Sequence, residues 1–129
     1  MANIAIVNSL IDKMATNQVL TMTAADEDNA GVAQKFVYTP TGKDSKLCFV
    51  IYNGATEKLD VTISAGAGVF GLPAKTTQIT NVAGHYLIQV ETGHYRQANG
   101  TVELSIDPNN VLKKLKSDHG LKVGCIELI

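Results

Sequence analysis

The chain has 129 residues, 45% of them hydrophobic, no Trp, and a net charge of −1 from 11 Lys plus Arg against 12 Asp plus Glu. That length suits a single domain, whose folding removes roughly two thirds of the unfolded surface from water, and the near-neutral balance supplies no broad attraction for nucleic acid or an anionic membrane. No apolar run approaches the roughly 20 residues that span a bilayer, and "MANIAIVNSLIDK" has no basic leader ahead of a long apolar stretch, so a soluble protein made in a cytoplasm is expected.

The first forty-five residues are the less regular part, an arm or edge segment of the domain. "ANIAIV" and "VLTMT" read as strands, "NSLIDKMA" as one or two helical turns, and "TAADEDNAGVAQ", polar and glycine-containing, as a mobile surface loop. From Lys46 onward the chain alternates short extended runs with turn residues: "KLCFVIYN", "EKLDVTISAG", "TTQITNV", "HYLIQVET", "TVELSID" and "LKVGCIELI". Asn53-Gly54, Ala83-Gly84, Thr92-Gly93, Asn99-Gly100 and Asp107-Pro108 punctuate them, Asn99-Gly100 being the clearest hairpin signal because both residues tolerate positive φ. This rhythm predicts an all-β domain, an antiparallel β-sandwich or barrel. One segment departs from it. In "DPNNVLKKLKSDHG", Val111, Leu112 and Leu115 share one face and Lys113, Lys114 and Lys116 lie mostly on the other, which predicts a short surface helix near the C-terminus, closed by Gly120.

"SAGAGVFG" places Gly66, Gly68 and Gly71 at the GxGxxG spacing of a dinucleotide-binding turn, with Glu91 at about 20 residues beyond. That motif works when a strand leads into a helix whose free amides hold the phosphate. Here "KLDVTIS" supplies the strand, but "LPAKTTQITNV" follows, with Pro73 against a helix interior and Thr, Ile and Val favouring extended chain. The glycines therefore read as a bend between strands. It leaves Val69 and Phe70 at a loop tip, where they either plug the end of the sandwich, the favoured reading, or touch a partner.

No constellation for catalysis stands out. His85, His94 and His119 have no HxH or HExxH spacing, and neither Cys48 nor Cys125 has a partner at metal-ligand spacing. Each cysteine lies in an apolar run, so both are expected to be reduced core thiols. Ser9, Ser45, Ser64, Ser105 and Ser117 lack a nucleophile elbow, and Asp26, Glu27 and Asp28 crowd one polar loop. No catalytic, cofactor-binding or metal residue is assigned, and a non-enzymatic protein without cofactor is expected. Phe49 and Tyr52 read as core, which leaves Tyr38, Phe70, Tyr86 and Tyr95 as candidates for a recognition surface, too few for a stacking platform.

The order "LCFVIYNGATEKLDVTISAGAGVFG", "TTQITNVAGHYLIQVETGHYRQANGTVELSID", "KVGCIELI" resembles a family of small structural proteins of tailed bacteriophages, over roughly Leu47 to Ile129. The resemblance rests on glycine and alternation patterns. It implies a β-sandwich virion component that binds the outside of a capsid lattice and stabilises it, a decoration or cement protein. The implied partner is the major capsid protein, with self-association into a trimer or other small oligomer, and no nucleic acid or membrane. The implied location is the capsid surface, after assembly in the host cytoplasm. The alternatives are a head–tail connector or tail component and, from a different class, a sugar-binding adhesin-like module.

Overall fold

The computed structural model describes residues 3–6, 8–11, 19–25, 34–42, 45–54, 58–79, 84–108 and 120–128. Among them are ten strands: β1 (Asn3–Ala5), β2 (Asn8–Ile11), β3 (Thr23–Ala24), β4 (Gln34–Tyr38), β5 (Lys46–Asn53), β6 (Leu59–Ile63), β7 (Lys75–Ile79), β8 (Gly84–Glu91), β9 (Val102–Pro108) and β10 (Lys122–Leu128). A single helical turn, α1 (Thr92–Tyr95), follows β8. The C-terminal helix expected from "DPNNVLKKLKSDHG" falls at 109–119, outside the described residues.

The strands form two sheets, in the orders β1-β4-β9-β6-β7 and β2-β10-β5-β8, with β3 also on β10. The fold is all-β and sandwich-like, as the alternation predicts. Its mechanism is the two-residue period: inward positions are buried at Phe36 and Tyr38 (β4), Val61 and Ile63 (β6) and Leu104 and Ile106 (β9), while the residues between them are only half buried. Leu47, Phe49 and Ile51 of β5 and Val123 and Cys125 of β10 face them from the second sheet, and all of these side chains belong to one cluster. The Tyr38 and Phe49 rings meet edge to face across the layer, 6.5 Å apart at 84°.

The N-terminal strands revise the expected picture. "NSLIDKMA" begins not as a helix but as β2, and β1 and β2 pair parallel with β4 and β10, whereas the other ladders are antiparallel. Asn3–Ala5 joins the first sheet and Asn8–Ile11 the second, with Ile6 buried in the core between them. The described parts of residues 1–45 are thus edge strands plus β4, rather than a free arm. Of "VLTMT", only Thr23 is in a strand; Leu20 and Met22 lie over Gly124, where a side chain on β10 would collide with them. The Asn99–Gly100 turn forms, with Gly100 at φ +86° and Gln97 donating to the Thr101 carbonyl, but it does not join two paired strands, since β8 and β9 lie in different sheets.

The cysteines sit on adjacent strands, with Cys125 opposite Phe49 and Cys48 opposite Ile126. Successive side chains alternate faces, so Cys125 points into the core and Cys48 to the outer face. Both are free thiols, and burial pushes both up, Cys125 far above the ordinary range with the Glu127 charge adding to the effect. Because the thiolate is the reactive form, Cys125 should react with a thiol reagent only as fast as the domain unfolds globally. Native-state labelling followed by mass analysis measures this, and modification of Cys125 at the rate of an exposed thiol would contradict the placement.

Candidate functional site

The inward row of β10 runs Val123, Cys125, Glu127, so the alternation that buries two apolar side chains carries a carboxylate in with them. Glu127 is 0% exposed. Its Oε1 accepts from the Tyr38 hydroxyl at 2.8 Å and the Thr41 amide at 2.9 Å. Its Oε2 accepts from the Gly42 amide at 2.9 Å and the Ser45 hydroxyl at 2.6 Å, with Thr41 shared at 3.0 Å. All four donors are uncharged. Burial by itself would raise the Glu127 carboxyl, but donation from Gly42, Ser45, Thr41 and Tyr38 outweighs it, and the pKa is held below the ordinary value. Tyr38 moves the opposite way, far upward, through burial first and then through its bond to that carboxylate. With both oxygens saturated and no exposed surface, Glu127 is built to hold the chain segment between β4 and β5, not to exchange protons with a substrate.

That segment holds the next one. The Ser45 carbonyl accepts from the Thr92 amide at 3.1 Å, and the Pro40 carbonyl from Arg96 Nη2 at 3.4 Å, so α1 is docked on the segment that Glu127 anchors. Helix α1 in turn holds the glycine loop between β6 and β7. Leu72 donates to the His94 carbonyl at 2.9 Å, Ala67 to the Arg96 carbonyl at 2.9 Å, and His94 Nδ1 to the Phe70 carbonyl at 3.0 Å. Within the loop, Gly66 donates to Leu72 at 3.0 Å and Gly71 to Gly68 at 3.2 Å.

These contacts account for the glycine spacing. A Cβ at Gly66 would overlap the His94 carbonyl, and one at Gly71 the backbone of Gly66, while Gly68 turns the chain at φ +85°. The loop runs into strand β7 and not into a helix, so the phosphate-binding geometry of GxGxxG is not made. Val69 and Phe70 do not plug the sandwich. They are 95% and 76% exposed, with Leu72 exposed beside them. The tip has no room inside because the loop backbone itself closes on α1.

Of the other recognition candidates, Tyr38 is fully buried on Glu127, Tyr86 packs partly against the core, and Tyr95, on α1, lines a groove of about 260 Å³ between the edges of β7 and β8 together with Ile63, Thr77 and Ile88. Phe49 is core, but Tyr52 is half-buried on the outer face of the second sheet, where its ring lies 4.9 Å from His85. His94 belongs to the helical turn, and its Nε2 is 3.4 Å from Glu91. Among the described residues no three His, Cys, Asp or Glu side chains cluster as metal ligands, and no helix is long and apolar enough to cross a membrane.

Glu127 is the anchoring residue of this corner, and its burial is not expected from its residue type. A carboxylate in phase with Val123 and Cys125 is the available signal. Compared with known proteins, the chain matches no family, no curated protein and no solved structure.

A carboxyl whose pKa is lower folded than unfolded adds stability that is complete above the unfolded value, about 4.3, and is lost as pH falls through the folded one. Glu127→Gln should lower unfolding free energy at pH 7 by about 2–4 kcal/mol, since one former acceptor becomes an amide facing donors. Urea titrations across pH should also show the difference between wild type and variant shrinking below about pH 4. Parallel stability curves for the two proteins would contradict the bonded carboxylate.

Proposed function

We propose that this protein is a non-enzymatic virion protein that binds the outside of a phage capsid lattice and stabilises it, with the major capsid protein as partner. The observation that carries this reading is the apolar tip at Val69 and Phe70. Exposed apolar side chains on a slack loop lose conformational entropy when they bind; here five hydrogen bonds within the loop and to α1 have already fixed the backbone. A preorganised aromatic on a rigid scaffold is the kind of group that concentrates binding energy in an interface. The phage-like pattern from Leu47 to Ile129 supplies the lattice as the occupant. On a lattice the same site recurs many times, so each copy needs only a modest contact, and a subunit that bridges two points gains from effective concentration.

The near-neutral charge fits recognition by shape and local chemistry. The buried carboxylate has no exposed surface, and Arg96 and His94 bond the carbonyls of Pro40, Gly100 and Phe70. The docking contact is assigned to the loop, where the exposed Val69 and Phe70 stand.

Purified protein mixed with expanded capsids that lack it should co-sediment and raise their melting temperature. Val69→Ser with Phe70→Ala should abolish co-sedimentation at concentrations that saturate the wild type, while the isolated domain melts within about 0.5 kcal/mol of wild type, as expected for exposed positions. Wild-type protein that fails to bind such capsids would remove the decoration reading and put the connector or tail reading in front. Full binding by the double variant would show that the tip is not the docking group.

A further inference from the structure

The second sheet ends in β8, eight residues long, which pairs with β5 on one side and with no described strand on the other. Proteins ordinarily blunt such an edge with Lys, Pro, a bulge or a short strand. The matching edge of the first sheet follows that rule: β7 is five residues, begins with Lys75, and exposes Thr76, Thr77 and Gln78. Strand β8, "GHYLIQVE", has none of these devices. Leu87 is 69% exposed on its outer face, and on its inner face Tyr86 and Ile88 are only partly covered, beside the groove that separates β8 from β7.

The sequence of β8 is complementary to itself. When two antiparallel copies pair about a two-fold axis, residues opposite each other have numbers with a constant sum and point to the same face. Centred on Ile88, the axis sets Ile88 against its own copy and Tyr86 against Val90 on the inner face. On the outer face it sets Leu87 against Gln89 and His85 against Glu91. The symmetry makes the His85–Glu91 pairing twice, once at each end of the ribbon. The alternative centred on Leu87 would place His85 against Gln89 and lose both imidazole–carboxylate pairings.

We propose that the edge of β8 turned away from β5, which no described strand covers, pairs antiparallel with β8 of a second copy of this chain, with Ile88 at the two-fold axis. The two second sheets then run on as one across the dimer, and the half-covered Tyr86 and Ile88 of each copy are shielded by the other. The proposal does not rest on the capsid reading; it concerns the isolated protein in solution.

Sedimentation equilibrium of the full chain over a range of concentrations is the test. A reversible monomer–dimer equilibrium is expected. His85→Glu, which opposes two carboxylates at both ends, should weaken the dimer by about tenfold or more, whereas His85→Lys, which still offers a hydrogen-bond donor to Glu91, should leave it intact. Thermal melts of both variants control for loss of the His85–Tyr52 ring contact. Wild-type protein that stays monomeric throughout overturns the proposal. So does a dimer insensitive to His85→Glu, or one that both substitutions weaken equally, because either result shows that His85 does not face Glu91 of the second copy.

Discussion

One buried carboxylate organises the corner of this molecule where its candidate docking surface lies. Glu127 enters the core because strand alternation leaves it no other face, between a sheet of apolar side chains and the segment that crosses from β4 to β5. An unpaired charge there would cost several kcal/mol. The chain offsets that cost with two amides and two hydroxyls, donors whose positions depend on the local path of residues 38–45. The requirement runs in both directions: the carboxylate needs these donors around it, and Thr41, Gly42 and Ser45 are tied to β10 through it. Replacing Glu127 with an apolar residue would leave two amides and two hydroxyls without their acceptor, so the site is more constraining than its single charge suggests.

The constraint propagates outward through backbone groups. The Ser45 carbonyl fixes the start of α1, the carbonyls of His94 and Arg96 fix the glycine loop, and the loop fixes Val69 and Phe70 in solvent. Each step relies on main-chain contacts, which tolerate little displacement. The glycines belong to this arrangement for steric reasons: the loop lies so close to α1 at Gly66, and so close to itself at Gly71, that no side chain fits. A spacing shared with nucleotide-binding turns arises here from close packing of two backbones.

Much of the fold is legible in the sequence because a sandwich writes itself as period-two alternation. β5, β6 and β10 fall within the extended runs read from Lys46 onward, and β7, β8 and β9 overrun theirs by one residue. The parallel pairing of β1 and β2 is not legible, since their partners, β4 and β10, lie far along the chain and local propensity in "NSLIDKMA" permits a helix. β4 is missed because a polar stretch precedes it and Tyr38 carries a hydroxyl, which suits the surface as well as a buried bond to a carboxylate. The glycine loop is legible as a bend, but its exposed tip is not: what closes the loop against the domain is α1, whose residues follow some twenty-five positions later in the chain. Glu127 is the clearest case of a rule overridden, because glutamate is rarely buried and so its phase with Val123 and Cys125 carries little weight until its donors are seen.

The central claim is that the Glu127 clamp holds the glycine loop through α1. Amide hydrogen exchange, resolved by residue, tests it most directly in wild type and in Ser45→Ala, which removes one donor and leaves the charge. The account predicts faster exchange not only at Thr41 and Gly42 but also at Thr92, Ala67 and Leu72, with the amides of β6 and β9 unchanged. Faster exchange confined to Thr41 and Gly42, with Ala67 and Leu72 as protected as in wild type, would show that the loop is held independently of the carboxylate and would contradict the account.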